Sequence, residues 1–186
     1  PASCFEAAFL NAIAFSPDGR NLAVVDSDGV TRLLDLETGD VRATMREDSD
    51  YDRKLRGIGV VGVLVFSPDG KKLIVSTSQD VIRAWDIETG EIINTFRGHR
   101  DRILVMTVSP DGTRLASGGS GNNIKLWDLG TFEGLSQVIS RSDSKFGDSS
   151  LSPDGTQLAT RNAWGGIDIW DLKTSGMLAR FESQEL

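Results

Sequence analysis

The sequence predicts an all-β repeat protein made of four small antiparallel sheets, and three observations carry that reading. The tetrapeptide Ser-Pro-Asp-Gly occurs four times, beginning at Ser16, Ser67, Ser109 and Ser152, at intervals of 51, 42 and 43 residues. Nineteen residues after each of those serines stands an aspartate: Asp35, Asp86, Asp128 and Asp171. The stretches between are short apolar or alternating runs, bounded by clusters of Gly, Asp, Ser and Thr, which is the pattern of strands and turns.

Each repeat divides into four strands. The first precedes the tetrapeptide, as in Leu10 to Phe15, Val61 to Phe66 and Ile103 to Val108. Ser-Pro-Asp-Gly is then a turn: Pro presets φ, Asp can bond its own backbone, and Gly accepts a positive φ. A second strand follows at Leu22 to Val25 and Leu73 to Val75, with weaker counterparts at Leu115–Ala116 and Leu158–Ala159. Asp26-Ser-Asp-Gly29 and Ser117-Gly-Gly-Ser-Gly121 read as second turns. A third strand ends at the recurring aspartate, as in Ile124 to Leu129 and Ile167 to Leu172, and that aspartate follows Trp85, Trp127 and Trp170 in three repeats and Leu34 in the first. Glu37-Thr-Gly39 and Glu88-Thr-Gly90 make a third turn. The fourth strands are Val41 to Met45, Glu91 to Phe96, Gln137 to Ile139 and Met177 to Phe181. One such sheet cannot bury both faces alone, so neighbouring sheets must stack on it.

Composition narrows the function classes. The chain has 186 residues, 39% hydrophobic and 25% charged, which is globular rather than disordered. Its formal charge of −7 disfavours non-specific nucleic-acid binding. No apolar run approaches a membrane span, and the first residues show no signal-peptide pattern. The single cysteine, Cys4, allows no intrachain disulfide and fits a reducing, cytoplasmic setting. A chain beginning at Pro1 rather than Met reads as a processed or excised piece.

The repeats resemble those of the WD-repeat family over nearly the whole chain, from about Leu10 to Phe181. The third is the best match, reading Gly98-His99, then Ser109-Pro-Asp-Gly112, then Ile124-Lys-Leu-Trp-Asp128. The resemblance implies a β-propeller, here an array of four four-stranded blades over approximately 9–47, 60–97, 102–140 and 145–183. It also implies a structural network joining the histidine, a Ser or Thr of the second strand, an Asp in the next turn and the Trp. Position by position the third repeat supplies His99, Ser117 and Trp127, but Gly121 takes the place of the Asp. The first repeat has Asp28 there yet Val24 and Leu34 elsewhere; the second has Gln79 and the fourth Trp164. No repeat carries the whole set, so packing is expected to matter more.

The repeats are also unequal. The extra length of the first interval falls near Arg46 to Gly57, whose mixed charges predict a solvated loop. The innermost strand of the fourth repeat, Phe146 to Leu151, is the most polar of its kind and marks either a wet channel or an irregular end blade. Propellers carry about four to eight blades. Four blades fit a segment of a longer propeller, half of an eight-bladed ring closed by a homodimer, or a small closed ring.

Chemistry is sparse. His99 matches a structural position rather than that of a catalytic base, and Cys4 has no basic partner motif. Asp26 and Asp28 lack the ligand alternation of a calcium loop. The glycine-rich Gly118–Gly121 lacks the Lys-Ser/Thr of a phosphate cradle. No catalytic residue, metal or cofactor is therefore expected. Trp85, Trp127 and Trp170 are expected in the core, whereas Trp164 falls in a turn beside Arg161 and is either a contact surface, Trp with Arg being a hot-spot combination, or a ring folded over its own blade. Arg100, Asp101 and Arg102 are expected at the same end of the array as the second-to-third-strand turns, the end across which many family members bind. The expected function is protein recognition or scaffolding through those loops. An accessory propeller of an enzyme such as a hydrolase, and a self-assembling half-ring, are the competing readings.

Overall fold

A computed structural model describes residues 10–27, 29–46, 62–76, 81–121, 123–131, 134–140, 149–162, 164–174 and 176–183. Cys4, Asp28, Gln79, most of the charged segment up to Gly57, and Phe146 to Asp148 lie outside the described residues.

Every regular element among the described residues is a strand, and the strands form four four-stranded antiparallel sheets joined in chain order. The first sheet comprises β1 (Leu10–Phe15), β2 (Asn21–Asp26), β3 (Thr31–Asp35) and β4 (Val41–Met45). The second comprises β5 (Leu64–Phe66), β6 (Lys72–Ser76), β7 (Ile82–Asp86) and β8 (Ile92–Phe96). The third comprises β9 (Ile103–Val108), β10 (Arg114–Gly119), β11 (Asn123–Asp128) and β12 (Gly134–Ser140). The fourth comprises β13 (Ser149–Leu151), β14 (Gln157–Arg161), β15 (Ile167–Asp171) and β16 (Met177–Phe181). These sheets are blades of the β-propeller kind. The chain divides into two compact units, residues 1–97 and 98–186, each holding two sheets.

The tetrapeptides build four turns of one design. In each, the serine hydroxyl donates to the aspartate two residues on, at 2.5–2.6 Å. The same hydroxyl accepts the backbone N–H five residues on, at 2.9 Å. Glycine closes the turn at φ of 67–72°, where a side chain would be strained. The recurring aspartates at the ends of the third strands do a second local task. Asp35, Asp86, Asp128 and Asp171 each accept the N–H groups two and three residues on, which shapes the third turn. These hydrogen bonds hold all eight turn carboxyls below the ordinary 3.8, Asp154 at about 2.

Within the first unit, one face of the first sheet packs on the opposite kind of face of the second. Ala23, Val25, Leu33 and Met45 meet Leu64, Phe66, Leu73, Val75 and Trp85. The two-residue period of a strand puts Ala23 and Val25 on one face and Leu73 and Val75 on the other, because their offsets from the nearest turn serine differ by one. The second unit repeats the arrangement, with Ala116, Ile124 and Leu126 against Leu151, Leu158, Trp170 and Leu172. Fully burying a side chain such as Leu73 or Leu158 contributes about 1.5–3 kcal/mol.

Two expectations about element bounds are corrected. Ser117, Gly118 and Gly119 do not open a turn; β10 runs through them, and Gly118 and Gly119 pair with Val105 and Ile103. Gly119 serves close approach instead, since a Cβ there would lie 3.1 Å from His99 Nδ1. The innermost strand of the second sheet starts at Leu64, three residues later than its apolar run suggested.

Candidate functional site

The end of the second unit opposite its Ser-Pro-Asp-Gly turns gathers most of the residues singled out from the sequence. The two tetrapeptide turns of this unit are neighbours, since a Cβ on Gly155 would sit 3.3 Å from Ser109 Cβ. Strands leading away from them carry 98–102, 119–121 and 162–166 to the other end.

A buried polar relay anchors that end. The Trp127 indole N–H donates to Ser117 Oγ at 2.8 Å, and Ser117 Oγ lies 2.7 Å from His99 Nε2. All three side chains are buried. With the serine proton given to Nε2, the ring proton sits on Nδ1. His99 Nδ1 and Asn123 Oδ1 are both buried without a well-formed hydrogen bond of their own. They are a matched donor and acceptor, and interaction with the Asn123 side chain favours the protonated ring. Asp101 adds to this relay. Its carboxylate fills the space a Cβ at Gly121 would need, and its charge also favours protonation. The acid that residue 121 lacks is thus partly replaced from the loop two residues after His99. Asp101 is half-buried and belongs as much to this scaffold as to the surface.

Burial, followed by the nearby Lys125 charge, nevertheless pulls the His99 pKa down to about 4 from an ordinary 6.5. A folded state that binds fewer protons than the unfolded one loses stability as pH falls. The expected result is a decline between pH 6.5 and about 4, worth up to about 3 kcal/mol, that His99→Asn lacks. Denaturant titrations of both proteins across that range check it; parallel pH curves would contradict it.

The fourth sheet holds a shorter version of the relay, one that sequence reasoning missed. Trp170 Nε1 donates to Thr160 Oγ1 at 2.9 Å. Thr160 stands eight residues after Ser152, as Ser117 stands after Ser109, so the offset could have found it. In the second sheet Val75 occupies that place and offers Trp85 no hydroxyl, although Trp85 is buried.

Asn162 and Asp168 then shape the turn that carries Trp164. Asn162 Oδ1 accepts the N–H of Trp164 at 3.1 Å and of Gly166 at 3.0 Å, while its Nδ2 donates to Asp168 Oδ1 at 3.3 Å. Asp168 is buried and takes two hydrogen bonds from Arg180, at 2.7 and 3.1 Å. The first sheet has an analogous device: Asp26, at the same repeat position as Asn162, accepts from Val30 N–H and pairs with Arg32. Asp26 is therefore a buried turn residue.

Trp164 itself is 55% exposed on this braced turn. Arg161, Arg100 and Arg102 are exposed as well. The backbone ties the last of these to the neighbouring turn, Ser120 N–H donating to Arg102 O at 2.8 Å. The result is a cationic, aromatic surface on an acidic chain, assembled from two adjacent sheets. No group of three or more metal-ligating side chains occurs among the described residues, and no helix is long and apolar enough to cross a membrane.

Comparison with known proteins agrees with this geometry. Residues 90–128 match the family model described as "WD domain, G-beta repeat", and residues 3–61 that described as "Anaphase-promoting complex subunit 4 WD40 domain". "WD repeat-containing protein 1" is 30% identical in Bos taurus and 27% identical in Mus musculus, each over 88 residues. Those matches cover 47% of this chain but only 14% of the relatives. "COMPASS component SWD3" of Saccharomyces cerevisiae is 31% identical over 70 residues, covering 38% of this chain and 22% of that protein. With sheets of the expected order, Trp-Asp pairs at the expected offset and a His–Ser–Trp relay in the best-matched repeat, residues 90–128 match a WD repeat and the chain resembles the WD-repeat family.

Proposed function

We propose that this chain is a cytoplasmic protein-recognition module that binds through the 98–102 and 161–166 loops, without catalysis and without a cofactor. WD-repeat proteins are in general scaffolds for protein interaction, and the named relative from yeast is a component of a complex. The observation that carries the reading is Trp164. A large aromatic ring is held in the open by a turn whose backbone is tied to Asn162, with an exposed arginine three residues earlier. A ring presented on a braced turn loses little conformational entropy on binding, and Trp and Arg are over-represented among binding hot spots. The partner surface that suits it is acidic around an apolar pocket.

The double variant Arg161→Ala/Trp164→Ala tests this. Both positions are exposed, so stability should change by no more than about 0.5 kcal/mol per site. Proteins captured by the immobilised wild-type chain should be lost from the variant at unchanged melting temperature. Unchanged capture would remove these residues from the binding surface, and a failure to fold would place Trp164 in the core.

A further inference from the structure

The sheet faces at the two ends of the chain are unequal in cover to their counterparts inside it. Phe15, immediately before Ser16, is 65% exposed, whereas Phe66 and Leu151 at the same position are 7% and 8% exposed. Leu22 is half-buried where Leu73 and Leu158 are fully buried, and Leu34 is half-buried where Trp85 and Trp170 are buried. Ile13, on the same face of β1, is 60% exposed. Val24, Asp26 and Val30, further along this face, are covered.

The structure also shows what covers such a face. In the second and fourth sheets it is packed by the preceding sheet through small and aliphatic residues 7 and 17 positions after the repeat serine: Ala23 and Leu33 in the first unit, Ala116 and Leu126 in the second. The fourth sheet carries Ala159 and Ile169 at those positions, with Ile167 where Ile124 stands and Ala179 where Ala43 stands. Ala159, Ile167 and Ile169 are only half-buried, although Leu33, Ala116, Ile124 and Leu126 are buried; Ala179 is half-buried, as Ala43 is. The chain therefore bears both halves of one type of contact, each incompletely covered.

We propose that two copies of this chain associate head to tail, the Ala159/Ile167/Ile169 face of the fourth sheet in one copy covering the Ile13/Phe15/Leu22/Leu34 face of the first sheet in the other. The pairing is heterologous, with different residues on its two sides. It reuses the sheet-on-sheet contact found inside each unit and is independent of the loop-mediated recognition above.

The test is the mass of the chain by light scattering at increasing concentration. Wild type should reach at least twice 20.1 kDa, while Phe15→Glu and Ala159→Glu should each remain monomeric with an unchanged circular dichroism spectrum. Ile13→Glu and Ala179→Glu stand in for either variant that does not fold. Mixing the two monomeric variants should restore a one-to-one dimer, because each retains the face the other has lost. A wild-type chain that stays at 20.1 kDa up to concentrations on the order of 100 µM would overturn the proposal. So would association that survives both substitutions, or folded variants that fail to complement. A monomer would mean that further blades of a longer chain, or another protein, cover these faces.

Discussion

Trp127→Ala is expected to lower the unfolding free energy by about 3–5 kcal/mol, read from denaturant titration at neutral pH. The indole is 4% exposed, so its removal leaves a cavity in a sheet that has little freedom to collapse onto it. Its neighbours across the sheet are Leu115 on β10 and Gly134 on β12, and a glycine cannot fill the gap. The loss does not stop at packing. Trp127 donates to Ser117, which in turn bonds His99, so the substitution also strips a buried hydroxyl of one partner. Trp127→Phe separates the two effects: it keeps most of the ring volume and removes the N–H, and should cost the smaller part of the total. A loss under about 1 kcal/mol for the alanine variant would mean that the residue is not core.

Arg180→Ala is expected to cost about 2–4 kcal/mol, through a different mechanism. Asp168 is 1% exposed, and Arg180 supplies the charge that offsets its burial. Removing the guanidinium takes the offsetting charge from a buried carboxylate that also accepts from Asn162, the residue that shapes the Trp164 turn. The figure lies below that of a fully buried pair because the Arg180 side chain is 26% exposed and partly screened. Adding Asp168→Asn to the Arg180→Ala background should recover part of the loss, since it removes the orphaned charge. Equal stability of the single and double variants would contradict a role for the pair.

Those two substitutions mark the boundary of what the sequence makes legible. The Ser-Pro-Asp-Gly turns can be read directly, because each is built from contacts within six residues of chain and reuses the same four side-chain types. Trp127 and Ser117 can be read from a fixed offset, and Thr160 with Trp170 could have been. Asp168 and Arg180 could not. Their meeting depends on the register of β15 on β16, which carries an irregularity between Ile169 and Trp170 that residue spacing does not disclose. Gly118 and Gly119 misled for a related reason. A glycine pair usually signals a turn, but here it marks a strand passing close to a histidine 20 residues earlier. Asp101 looked like a surface charge because nothing in its neighbourhood reveals that the space over Gly121 is vacant. The exposure of Trp164 could not be read from its place in a turn either, because a ring there can equally fold over its own sheet.

Hydrogen exchange with and without a captured partner tests most directly the claim that this chain binds through one set of loops. Added protection is expected in peptides spanning 98–102 and 161–166, with the Ser-Pro-Asp-Gly turns at 109–112 and 152–155 unchanged at the opposite end of the same sheets. Protection confined to those tetrapeptide turns, or spread along the strands, would contradict it.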